Sequence, residues 1–90
     1  MGRHPEASTT VEVHVWAAAR DAAGTDVIRV PAGTLRDVLA AAVAATPPRF
    51  ADVLERCSLL LDSVAVHDDA VAVAPGQRVD VLPPFAGGAR

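Results

Sequence analysis

From Val11 to Trp16 the chain alternates, with Val11, Val13 and Val15 on one side and Glu12, His14 and Trp16 on the other. A period of two predicts a half-buried strand. Trp16, a large aromatic on the polar side, is either a lid on the core edge or part of a docking surface. Ala17–Asp21 reads as a small-residue turn or short helical piece, closed by Ala23-Gly24-Thr25-Asp26. Val27–Val30 is a second strand stopped by Pro31, and the two strands pair most economically as an antiparallel hairpin. At Thr34 the period changes. Thr34 is a good N-cap with Asp37 at the capping-box position, and Leu35, Val38, Leu39, Ala42 and Val43 make one apolar stripe of a helix. Thr46-Pro47-Pro48 ends it. Phe50–Arg56 reads as a shorter helix with Phe50, Val53 and Leu54 inward.

Leu59-Leu60-Leu61 is a continuous apolar run, which predicts a central strand buried on both faces. Asp62-Ser63 follows as a two-residue turn, Val64–Val66 as a short strand and His67-Asp68-Asp69 as a polar loop. Val71–Val73 is weakly extended, Pro75-Gly76 supplies a type II turn, and Val79–Leu82 is the last strand. The order ββαβ(β)β makes an α+β architecture, a mixed sheet of four to five strands with one main helix packed across one face. Residues 1–10 are polar with no hydrophobic period and read as a disordered leader. Residues 11–85 form the domain, and residues 86–90 a flexible tail.

Composition narrows the chemistry. All eight basic residues are Arg, so no lysine nucleophile, Schiff base or isopeptide acceptor exists within the chain. The net charge of −3, with no basic stripe, argues against a nucleic-acid partner. Cys57 is the lone cysteine, which excludes an internal disulfide and fits a reducing compartment. With no apolar leader and no window long enough to span a membrane, the expected location is the cytoplasm. Cys57 reads as a small buried hydrophobe. His14, His67, Asp68 and Asp69 match no ligand spacing, so no metal site is expected.

The end of the chain is the unusual part. Pro83 and Pro84 fix φ and remove two donors, so the last strand stops at Leu82 and the tail leaves the sheet extended. Gly87 and Gly88 then make a thin, flexible tip. Such a tail suits entry into another protein's active site, and it also suits an ordinary frayed terminus.

Four stretches together carry a resemblance. They are the first strand running into Ala17-Ala18-Ala19-Arg20-Asp21-Ala22-Ala23-Gly24, the opening Thr34-Leu35-Arg36-Asp37-Val38-Leu39, the turn Ala74-Pro75-Gly76-Gln77-Arg78-Val79, and Leu82-Pro83-Pro84-Phe85-Ala86-Gly87-Gly88. Over roughly residues 11–88 the chain resembles the ubiquitin-like sulfur-carrier family of the MoaD/ThiS type, most of all the small subunit of molybdopterin synthase. The resemblance implies a β-grasp fold. It implies that the Gly88 carboxylate, with Gly87 beside it, is adenylated by an ATP-dependent activating and sulfur-transfer enzyme and becomes a thiocarboxylate. That group would give its sulfur to cyclic pyranopterin monophosphate at the large subunit of molybdopterin synthase. The carrier would be a co-substrate, not an enzyme, with no bound cofactor; ATP is used by the activating partner.

Alternation puts Trp16, His14, Arg29, Arg78, Asp80 and Leu82 on the outer sheet face. That face is either solvated or, as the resemblance implies, part of the docking surface for the partners. Trp16, Leu82, Pro83, Pro84 and Phe85 are expected to bind them, with Phe85 as an anchor. Two departures stand out. Ala89-Arg90 follows Gly88, so a protease must remove both before Gly88 has a carboxylate. Leu61-Asp62-Ser63 stands where relatives tend to carry Val-Asn-Gly, and because Ser63 tolerates positive φ poorly the hairpin is expected to use another turn type. Carriers for thiamine, cysteine or another pathway, protein modifiers, and a non-carrier β-grasp interaction module share these features.

Overall fold

The computed structural model describes residues 9–84. Strand β1 is Thr10–Val15 and β2 is Val27–Pro31, joined by helix α1, Ala17–Ala23. The stretch after Trp16 is thus a full two-turn helix, longer than the piece read from Ala17–Asp21. Trp16 is its N-cap and not the end of the strand, and Gly24 closes it in the left-handed region at φ 79°. The first strand also starts one residue earlier than the Val11 alternation, at Thr10.

The two-residue strand β3, Gly33–Thr34, leads into helix α2, Leu35–Ala44, and then helix α3, Arg49–Leu54. The capping box at α2 forms as the sequence predicts. Thr34 Oγ1 accepts from the Asp37 amide at 3.1 Å, and Asp37 Oδ2 accepts from the Thr34 amide at 3.3 Å. Strands β4 (Ser58–Leu61), β5 (Val64–Val66), β6 (Ala72–Val73) and β7 (Arg78–Leu82) complete the chain.

The main sheet runs β2-β1-β7-β4-β5, and β3 pairs with β6 in a separate two-stranded ladder. Strands β1 and β7 are parallel and the other pairings of the main sheet are antiparallel, giving the mixed β-grasp sheet. Alternation holds along β1, β2 and β7: Val11, Val13, Val15, Ile28, Val30, Val79 and Val81 are buried on one face. Against them pack Leu35, Val38 and Ala42 of α2 and Phe50 of α3, each with no exposed surface. Leu39, Val43, Val53 and Leu54 close the edges of this core half-buried.

Two expectations are corrected. The Leu59–Leu61 strand is not buried on both faces, because only one sheet face is covered by helices. Leu59 and Leu61 pack at the margin of the core, while Leu60 points to the open face and is half-exposed. The β4–β5 turn does not change type either. Asp62 and Ser63 both take positive φ, 48° and 71°, the geometry of a type I′ hairpin. Asp62 offsets part of the strain through its carboxylate, which accepts from Gln77 Nε2 and the Arg78 amide, both at 2.9 Å. Those bonds hold its carboxyl below the usual range against a small opposing effect of burial. At the other turn, Gly76 has φ 87° and the Gln77 amide donates to Ala74 at 3.0 Å, as the Pro75-Gly76 pair predicts.

Candidate functional site

The last strand emerges in the centre of the sheet and ends beside the β1–α1 corner. There Leu82, Pro83 and Pro84 meet Trp16, Ala17, Ala18 and Ser58 around a mainly apolar cavity of about 470 Å³. Of the residues expected to bind partners, Leu82, Pro83, Pro84 and Trp16 are therefore gathered at one place, the root of the tail. Phe85, Gly87 and Gly88, with Ala86, Ala89 and Arg90, lie outside the described residues. The alternation along Val11–Trp16 did not reveal Ala17, Ala18 and Ser58. Their signal was size alone, since small side chains leave room between Trp16 and the two prolines.

Ala17 turns the corner with φ 51°, a left-handed conformation that costs an alanine about 1 kcal/mol. The corner is held by the helix it opens, in which the amides of Ala19 and Arg20 donate to the Trp16 carbonyl at 2.9 and 3.2 Å. Trp16 is 45% exposed, so it is not a fully closed lid on the core. Its indole Nε1 donates to Asp80 Oδ1 at 3.0 Å.

Among the described residues Asp80 is the buried charged side chain, at 6% exposure, although it faces away from the helices. In register it sits between His14 of β1 and Leu60 of β4. Arg78 grips it on the same strand, Nη2 to Oδ1 at 2.8 Å and Nε to both oxygens at 3.1 Å. Burial pushes the Asp80 carboxyl up, but the Arg78 and Trp16 hydrogen bonds outweigh burial and leave it below the usual range. Next to this triad, Glu12 lies 2.9 Å from His14 Nε2 and accepts from Arg29 Nη2 at 3.2 Å. The His14 hydrogen bond, opposed by burial and aided by Arg29, holds the Glu12 carboxyl low. The outer-face residues His14, Arg29, Arg78 and Asp80 are thus coupled in two adjoining polar clusters.

Cys57 is half-buried with its thiol 3.2 Å from the Val53 carbonyl, and burial pushes it up despite Arg56 nearby, so it is not an activated nucleophile. Among the described residues, no three His, Cys, Asp or Glu side chains come together as a metal site. Among the same residues, no helix is long and apolar enough to cross a membrane.

A β-grasp sheet with a central last strand opening onto an apolar corner defines a ubiquitin-like protein. Residues 13–88 match the ThiS family, and the chain belongs to that family. It is a sulfur carrier of the MoaD/ThiS type or a ubiquitin-like modifier. Among solved structures it is similar to small archaeal modifier protein 1 (SAMP1) of Haloferax volcanii, with TM-score 0.78 and 26% identity over 88% of this chain and 99% of that one. The SAMP1 of Methanosarcina acetivorans matches with TM-score 0.70 and 21% identity, covering 89% and 97%. In the complex of subunits 1 and 2 of molybdopterin-converting factor from Helicobacter pylori, the matching chain gives TM-score 0.67 and 20% identity over 88% and 99%. No curated protein matches the chain.

Proposed function

We propose that this chain carries sulfur for molybdopterin synthesis on the carboxylate of Gly88. The observation that supports this most is the join between fold and tail. Strand β7 delivers Leu82-Pro83-Pro84 to an apolar corner with Trp16, and the sequence reaches Gly87-Gly88 three residues later. A rigid root with an apolar seat and a side-chain-free tip suits a tail that is handed between two active sites. Hydrolysis of the Gly88–Ala89 bond frees the carboxylate. An activating enzyme joins it to the AMP portion of ATP with release of pyrophosphate. Sulfur at the oxidation level of sulfide then attacks the carbonyl carbon, and AMP departs with one former carboxylate oxygen. The thiocarboxylate that results is the nucleophile at a large synthase subunit, a partner like subunit 2 in the Helicobacter pylori complex. In this scheme the chain is a co-substrate, holds no cofactor of its own, and docks through Trp16, Leu82, Pro83, Pro84 and Phe85.

The test is the intact mass of the protein purified from its own source. A species ending at Gly88 and heavier by one oxygen-to-sulfur exchange is the expected result. A population that always keeps Ala89-Arg90 would overturn the carrier role. A second reading, protein modification, is favoured by the likeness to SAMP1 of Haloferax volcanii, which exceeds that to the Helicobacter pylori chain in both identity and TM-score. It predicts Gly88 in amide linkage to lysines of other proteins, since this chain has no lysine of its own. Peptide mapping of conjugates separates the two.

A further inference from the structure

The carrier scheme leaves one buried titratable group without a task. Asp80 stands on the open face of the sheet, where a carboxylate has no packing reason to be, yet it is 6% exposed and gripped by Arg78. Its remaining strong contact is the one polar atom of Trp16, at 3.0 Å. That bond fixes the nitrogen edge of the indole while the ring, 45% exposed, lines the cavity with Pro83 and Pro84. An aromatic side chain pinned at its polar tip loses little freedom when a partner docks on it.

We propose that Asp80 is a positioning residue, holding Trp16 as a preset wall of the tail exit so that the enzyme acting on Gly88 meets an ordered surface. The inference rests on the carrier reading for its consequence, but not for its geometry. Because Trp16 is the only tryptophan, its fluorescence reports on the pair alone. Asp80→Leu removes the acceptor and puts a bulkier apolar side chain in its place. The Arg78 guanidinium left without its partner is exposed enough to be solvated, so the fold should survive. Asp80→Asn keeps an oxygen that can accept from the indole.

In Asp80→Leu, Trp16 emission should shift to the red with greater quencher access, and in Asp80→Asn it should stay near wild type. With chains ending at Gly88 in an adenylation assay, Asp80→Leu should raise KM about tenfold at nearly constant kcat, as expected when a well-ordered aromatic contact is loosened. Asp80→Asn should recover most of that loss. A purely structural Asp80 would move KM only in step with melting temperature. Unchanged emission in a folded Asp80→Leu protein overturns the proposal, as does an unchanged KM. Failure of the wild-type chain ending at Gly88 to be adenylated overturns the carrier reading instead, and the emission comparison still decides the positioning role.

Discussion

The two faces of the sheet are built by different physics. On the covered face Val11, Val13, Val15, Val79 and Val81 meet Leu35, Val38 and Phe50, and area removed from water is the organising quantity. No direction has to be specified there beyond shape. On the open face burial is achieved by a carboxylate, a guanidinium and an indole, whose directional bonds decide where each group points. Van der Waals packing makes the first face tolerant of volume-conserving exchange and intolerant of voids. Directional bonding makes the second tolerant of solvent and intolerant of a missing partner.

The sharpest way to break the covered face is Phe50→Ala. With no exposed surface and a core otherwise of small side chains, it should cost about 3–5 kcal/mol in denaturant unfolding. The open face should respond by chemistry rather than by volume. Asp80→Ala, which leaves Arg78 without its partner, should cost about 1–2 kcal/mol, because Arg78 is near enough to water to be partly solvated. Asp80→Asn, which keeps an oxygen to accept from the indole, should cost less than Asp80→Ala. Equal costs in the same unfolding experiment would mean that the carboxylate charge, not the indole bond, holds this face.

A gain should come from the hairpin. Ser63→Gly removes a left-handed serine at φ 71° and should stabilise the fold by up to about 1 kcal/mol, seen as a higher melting temperature. The smallest effect is acid dependence. Asp80 has its folded carboxyl held low, so its contribution is complete above the ordinary aspartate value near 3.9 and is lost as pH falls through the lower folded value. Unfolding free energy measured from pH 6 down to pH 2 should fall less in Asp80→Asn than in wild type. Asp62 and Asp69, also held low, remain common to both proteins and cancel in that difference.

The covered face was legible because alternation and the Thr34 cap are local signals, and both the hairpin β1–β2 and helix α2 follow from them. Parity also put Asp80 and His14 on the outer face. It could not tell that Asp80 is buried there, since that depends on a tryptophan 64 residues away. Leu59–Leu61 misled for a related reason: an apolar run does not say how many faces are covered, and here Leu60 is left open. Ser63 was misread because propensity weighs the residue alone. The turn is imposed by the two-residue connection and braced by Asp62, whose partners are Gln77, in the turn before β7, and Arg78, the first residue of that strand.

The place of β7 in the sheet has a consequence for biosynthesis. Each of the hairpins β1–β2 and β4–β5 can pair from local sequence as it is made, but neither touches the other without the strand that lies between them. A two-stranded hairpin is at best marginal in water. The nascent chain therefore holds two separate halves until Arg78–Leu82 is free to pair with both, and a chain that stops before β7 lacks the strand that joins them.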